Sequence, residues 1–204
     1  VVEGGVDISE SERYLKSDTV VPLSLRKYDA CFVGRFHYQK GVLELVDIWR
    51  RVVQHRKDAR LAMIGEGPLQ SEIEARIADA GLRAHIEILG FLDGAPKYEV
   101  FKQSRLMVHP ATYDSGGMAA AEGMAWRLPA VGFDLEALRT YYPKGMLKAT
   151  PGDLEHFAGL ILSLLNDNVK YQEQADAAHE YIADVWDWGK RAQRVFLQVF
   201  ESCS

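Results

Sequence analysis

The 204-residue sequence has little sulfur to offer a metal or a cross-link: its two cysteines are Cys31 and Cys203. One stands in an apolar run and the other at the far end, so we expect no disulfide framework and a reducing compartment. No apolar run approaches the ~20 residues of a membrane span, and the acidic first ten residues lack the apolar stretch of a secretory signal. An initiator Met is missing too, and we expect a chain cut from a longer one. No cluster of His, Cys, Asp and Glu has the spacing of a metal site. No Asp-x-Asp pair, Walker A loop or Gly-x-Gly-x-x-Gly turn occurs, and nothing makes a case for a Ser-His-Asp triad. Positive charge is not in excess: 24 Lys and Arg face 29 Asp and Glu, for a net charge of −5. That argues against nonspecific binding of nucleic acid, although a local basic pocket is compatible with it.

What is present is an ordinary globular composition, 48% hydrophobic and 26% charged, at a length that suits one domain with a real core. Short apolar runs at 30–33, 60–64, 85–89, 106–108, 130–133 and 146–149 read as buried strands. Between them lie helical patterns. In 42–55, Val42, Leu45, Val46, Trp49, Val52 and Val53 recur at helical spacing. Pro68 opens and Gly81 closes a helix over 69–80. Further helices are expected at 96–104, 118–126, 153–165, 169–182 and 188–200, the last with Ala192, Val195, Phe196, Val199 and Phe200 on one face, and a helix or turn at 135–142. Alternation of this kind predicts an α/β, Rossmann-like three-layer domain with about six parallel strands. Ligands of such sheets bind beyond the carboxyl ends of the strands. Residues 1–28 carry no strong periodicity and read as a leader segment. The domain proper is expected over 29–204, with 168–204 as extra C-terminal helices.

The loops at those strand ends carry the chemistry. The first has Gly34, Arg35 and, five residues on, Lys40. An Arg fork and a Lys point charge flanking a helix entry can address one diphosphate, and cations placed there otherwise oppose the helix dipole. Gly34 lets backbone approach closely. In the stretch 105–134, a strand runs into a loop with Tyr113, Asp114 and Ser115, then Gly116 and Gly117, then a small-residue helix from Met118. The N–H groups of Gly116, Gly117 and Met118 meet the positive end of the helix dipole, which favours an anion. Asp114 and Glu122, with seven residues between them, are suited to accepting from hydroxyls of a ribose or sugar. Gly65-Glu66-Gly67-Pro68 and Gly90-Phe91-Leu92 close two further strands; by its residue type alone Phe91 reads rather as core. His109, alone beside Pro110, reads as a packed or hydrogen-bonded residue with no catalytic part.

Asp114 to Glu122, followed by Gly-Met-Ala, two residues and Leu-Pro, resembles the Glu-x7-Glu signature of the retaining family-4 glycosyltransferases of GT-B fold. Gly-Arg-Phe, three residues and Lys-Gly resembles their diphosphate motif, with Arg35 and Lys40 on its functional positions. Gly4-Gly5-Val6-Asp7 resembles the segment at which such enzymes leave their N-terminal domain. Three departures stand out: Asp114 where Glu is usual, Gly123 where Ala is usual, and Trp126-Arg127 where a small residue and Gly are usual.

The resemblance implies the C-terminal, donor-binding half of a GT-B enzyme that moves a hexosyl group from a nucleoside-diphosphate sugar to an acceptor. It implies catalytic positions at Asp114 and Glu122, and diphosphate contacts from Gly34, Arg35, Lys40, Gly116, Gly117 and Met118. It places the nucleoside against Gly65, Gly90, Phe91 and Glu122. Neither metal nor cofactor is implied. Partners would be the nucleotide-sugar donor, an acceptor of unspecified kind and the N-terminal GT-B domain, toward which helix 188–200 would return. The location would be cytoplasmic or peripheral to a membrane. Two rivals remain. Another GT-B enzyme such as an epimerase or phosphorylase is one, though no context for a pyridoxal phosphate lysine is seen. A nucleotide-binding regulatory module is the other; its Gly-x-Gly-x-x-Gly turn is replaced here by Gly-Arg-Phe-x-x-x-Lys-Gly.

Overall fold

In the computed structural model, which describes residues 4–200 with the side chains of 199 and 200 excepted, six parallel strands form one sheet in the order β3-β2-β1-β4-β5-β6. The strands are β1 (Tyr28–Val33), β2 (Leu61–Ile64), β3 (Ile86–Ile88), β4 (Ser104–His109), β5 (Ala130–Phe133) and β6 (Met146–Ala149). The expected six-stranded parallel Rossmann-like fold is therefore observed. Alternate residues of each strand point to opposite cores, as the two-residue period of a strand requires. Ala30, Phe32, Leu61, Met63, Leu106, Val108, Val131 and Phe133 pack with α2 (Val42–His55), α3 (Gln70–Asp79) and α7 (Leu154–Asn166). Cys31, Ala62, Ile64, Met107 and Ala130 pack with α4 (Ala95–Lys102), α5 (Met118–Ala125) and the chain that follows α8 (Asn168–Tyr181). Cys31 is fully buried, which pushes its thiol up to about 12. Cys203 lies outside the described residues, as do the Val199 and Phe200 side chains.

Two segments differ from the sequence reading. The leader contains a helix, α1 (Ser9–Leu15), whose single buried residue is Ser11, so it has no apolar stripe to betray it. Local pairs hold it, Arg13–Glu10 at 2.7 Å and Lys16–Glu12 at 2.6 Å, and Tyr14 packs on Trp126 with ring centroids 5.7 Å apart. Just before it, the Val6 N–H donates to Trp186 O at 2.9 Å and the Trp188 N–H to Val6 O at 3.0 Å, so the leader is sewn to the C-terminal segment. Second, a π-helical turn, Ile182–Trp186, separates α8 from α9 (Trp188–Phe200). It buries Ile182 and Trp186, the latter stacked on Tyr142 at 5.3 Å.

The Trp126-Arg127 departure has a structural reason. Trp126 fills the space between Tyr14, Tyr98 and Phe101. Arg127 leaves α5 with φ 61°, a left-handed conformation that costs a non-glycine residue about 1–2 kcal/mol. Its guanidinium is held by Asp176 on α8.

The chain order reverses between β1 and β4, which pair in parallel while the helices that follow them, α2 and α5, pack into opposite cores. That switch point is where an open parallel sheet offers a crevice. The loops after β1, β2 and β3 open there, together with the first turns of α5, which follows β4.

Candidate functional site

Three strand-end loops are stitched together by their own backbones. Gly34 N–H donates to Ile64 O at 3.0 Å, Phe36 N–H to Glu66 O at 2.8 Å, and Gly65 N–H to Gly90 O at 2.8 Å. Gly65 has φ 143°, and a side chain there would run into the Gly34 carbonyl oxygen. Its glycine is thus what lets the first two strand ends close up. Above this floor lies a cavity of about 530 Å³, walled by Gly34, Arg35, Gly65, Gly67, Phe91, Lys97, Ala119 and Glu122 among others. That size falls within the range of small-molecule sites.

Five of the expected site residues meet in this cavity: Gly34, Arg35, Gly65, Phe91 and Glu122. Phe91 is 69% exposed, so its reading as core is corrected. It projects from the β3 loop, past the end of the sheet that would have covered it. Arg35 is exposed and has neither a hydrogen bond nor an ion pair among the described residues. Glu122 is on the second turn of α5, and its side chain is 35% exposed. Lys97 Nζ donates to Glu122 at 3.0 Å and lies 3.1 Å from Asp93. Burial works against the Lys97 charge, yet the two carboxylates outweigh it and raise the pKa. Sequence reasoning missed Lys97. The Asp93–Lys97 pair, four apart at a helix start, was its one local signal. Gly90 stays behind the cavity, turning at φ 71° and lending its carbonyl to Gly65.

The remaining expected residues gather elsewhere, around Asp114. Gly116 N–H and Gly117 N–H donate to Asp114 Oδ1 at 3.0 and 2.6 Å. Lys40 Nζ donates to Oδ2 at 2.6 Å, and His109 Nε2 lies 3.0 Å from the same atom. The motif implied a carboxylate open to a sugar hydroxyl; the structure closes it with four donors and leaves its side chain 7% exposed. Burial would raise the Asp114 carboxyl, but the bonds from His109, Lys40 and the two amides hold it well below the usual carboxylate range. With one methylene fewer than Glu, the carboxylate folds back onto its own loop as a cap. The expected diphosphate donors Gly116 and Gly117 thus spend their N–H groups on Asp114. Lys40 is its ion-pair partner and does not wall the cavity. Gly117 takes φ 61°, and a side chain there would lie 2.8 Å from Leu138 and 3.0 Å from Tyr142. Tyr142 OH lies 2.7 Å from Gly116 O and 2.9 Å from Gly117 O, and its one proton, shared between the two carbonyls, ties the loop down. Burial raises the pKa of that phenol strongly, with Asp114 adding to it. Met118 opens α5 and is 38% exposed; the N–H groups of Met118 and Ala119, in its first turn, have no intrahelical acceptor. Among the described residues no group of three or more His, Cys, Asp and Glu is placed to hold a metal ion.

The model of the family "Glycosyl transferases group 1" matches residues 16–181. The chain belongs to that family. Among curated proteins, a phosphatidyl-myo-inositol mannosyltransferase from Mycobacterium leprae is 28% identical over 175 residues, 84% of this chain and 46% of its own length. A 2-deoxystreptamine glucosyltransferase from Streptomyces kanamyceticus is 26% identical over 155 residues, 75% of this chain and 40% of its own. The chain therefore spans less than half the length of these two group 1 relatives. Among solved structures, Anabaena HepE, in complex with UDP and glucose, superposes with a TM-score of 0.78 at 19% identity, over 98% of this chain and 56% of its own. At that identity the likeness shows the fold, which is that of a GT-B glycosyltransferase domain. The open cation Arg35 and the open carboxylate Glu122 line one cavity, and the saturated carboxylate Asp114 lies outside it, at the entry to α5.

Proposed function

We propose that this chain is the donor-binding half of a retaining, family-4 glycosyltransferase that transfers a hexosyl group from a nucleoside-diphosphate sugar. The observation that carries this is the cavity at the switch point, with Arg35 unpaired at its edge, the start of α5 beside it and Glu122 within. In this reading the nucleoside lies over Gly65 and against Phe91, and its ribose hydroxyls donate to Glu122, which Lys97 orients. Arg35 and the first N–H groups of α5, at Met118 and Ala119, take the diphosphate; backbone dipoles and a guanidinium fixed in place stabilise the charge that develops on a leaving diphosphate. UDP is the probe of choice because HepE was solved with it. Asp114 serves by shaping the loop and seating Lys40.

The relatives' greater length leaves room for an N-terminal domain that closes over the donor and carries the acceptor site. We assign to that domain the start of α9, where Trp188 is 55% exposed. No helix among the described residues is long and apolar enough to cross a membrane; a cytoplasmic or membrane-peripheral enzyme fits that. The sequence has no Asp-x-Asp pair, and we infer that donor binding needs no divalent metal. Calorimetric titration of UDP tests the reading. Micromolar-to-millimolar binding that is equal in chelator and in magnesium is expected, and absence of UDP binding, or its loss in chelator, contradicts it.

A further inference from the structure

His109 is a buried ring that the proposed chemistry leaves unused. It is the last residue of β4, paired in register with Gly132 of β5, and its side chain is 2% exposed. Nε2 meets Asp114 Oδ2, and Nδ1 is buried with no hydrogen-bond partner among the described residues. A ring that donates from Nε2 and leaves Nδ1 bare has no onward relay, so it is not built to shuttle a proton. It makes one polar bond, and the acceptor is the oxygen that also holds Lys40 at 2.6 Å.

We propose that His109 is a positioning residue: by donating to Asp114 Oδ2 it shares that oxygen with the Lys40 ammonium, and so leaves Lys40 free to turn to the donor's diphosphate. This rests on the donor-binding reading. Without the imidazole, Lys40 is the sole partner of Oδ2. The ion pair tightens, because an anion short of one donor holds the other harder. Lys40 is 32% exposed and reaches Asp114 from the loop that also carries Arg35, which lines the cavity. The arrangement makes one carboxylate the rest position of a mobile charge, with His109 setting how firmly it rests.

The test is a double-mutant cycle read by UDP titration of the chain. His109→Leu keeps bulk and removes the donor; it should weaken UDP binding by about tenfold, the equivalent of one charged hydrogen bond. His109→Gln keeps an N–H at the Nε2 position and should restore binding to within about threefold of wild type on the same scale. In an Asp114→Asn background, where the ion pair is gone, His109→Leu should cost nothing further, since coupled residues are non-additive. Additive losses, or Gln no better than Leu, would overturn the proposal. Nitrogen-15 NMR of the wild-type ring, which needs no variant to fold, should show a protonated Nε2 and a bare Nδ1 at neutral pH; the opposite tautomer also overturns it. A wild-type chain that binds no UDP defeats the donor reading itself, and this role with it. UDP binding with additive variants defeats His109 alone.

Discussion

Glu122 and Asp114 belong to one motif and one helix entry, yet the fold treats them oppositely. Glu122 has one lysine partner and remains 35% exposed on the wall of a cavity. Asp114 has four donors and is 7% exposed. A carboxylate accepts through about four lone-pair sites. Asp114 has filled its own from within the protein, and Glu122 has not. The difference teaches that availability, and not residue type, separates an acid left open to the cavity from a structural one. It also separates two parts of α5 and its entry: Glu122 in the second turn faces a cavity, and Asp114 before the first turn caps the loop.

The comparison can be broken most severely at Gly117. Gly117→Ala places a side chain at φ 61° against Leu138 and Tyr142. Backbone strain and overpacking together should cost about 2–4 kcal/mol in urea unfolding, and the damage should start on the Asp114 side. An unchanged midpoint would mean that the loop is looser than its hydrogen bonds indicate. On the open side, Arg35→Ala should weaken UDP binding by about 1.5–3 kcal/mol, the range for charged hydrogen bonds, with little effect on folding, since the guanidinium has no partner to lose. Calorimetry and thermal melting separate the two effects.

A pH series sharpens the contrast further. The folded Asp114 carboxyl sits below its ordinary value of 3.8. Its contribution to stability is therefore complete above about pH 5 and is lost as pH falls through 4 and below. Asp114→Asn should remove about 1–3 kcal/mol at pH 6 and show a shallower further loss toward pH 3 than wild type. Parallel acid limbs for the two proteins would count against the four-donor cap. The smallest effect is expected at Arg127→Gly. Relief of left-handed strain is worth about 1–2 kcal/mol, and the half-exposed pair with Asp176 about 0–1 kcal/mol, so the variant should be neutral or slightly more stable in urea. A clear loss would make the Asp176 pair stronger than its exposure suggests.

Much of this was legible in the residues. Apolar runs marked all six strands, with β5 and β6 at their observed bounds, because the central parallel strands are buried on both faces and the edge strands β3 and β6, although they carry Glu87 and Lys148, keep enough apolar residues to show. The stripe of Val42, Leu45, Val46, Trp49 and Val52 marked α2 for the same kind of reason. The helix α1 was invisible because it buries a serine and is held by salt bridges and one tyrosine ring. At the site, Arg35 and Glu122 were legible as glycine-flanked charges at a strand end and helix entry. Lys97 was not, since its contact to Glu122 bridges two helices that no local pattern connects. The closure of Asp114 depends on Lys40, His109 and two amides that only the fold brings to one point. His109 was legible as a packed or hydrogen-bonded residue, and the structure makes it so, since a polar residue on the buried face of β4, two after Met107, needs a partner to be there.

The central claim, that Asp114 belongs to the loop and Glu122 to the ligand, meets its most direct test in one calorimetric experiment. Wild type, Asp114→Asn and Glu122→Gln are each titrated with UDP and with UDP-glucose. The account predicts that Glu122→Gln weakens both ligands by about tenfold, one charged hydrogen bond, and that Asp114→Asn leaves the ratio of the two affinities as it is in wild type, whatever it does to each. A selective loss of UDP-glucose in Asp114→Asn, with UDP untouched, would place that carboxylate on the transferred sugar and contradict the account.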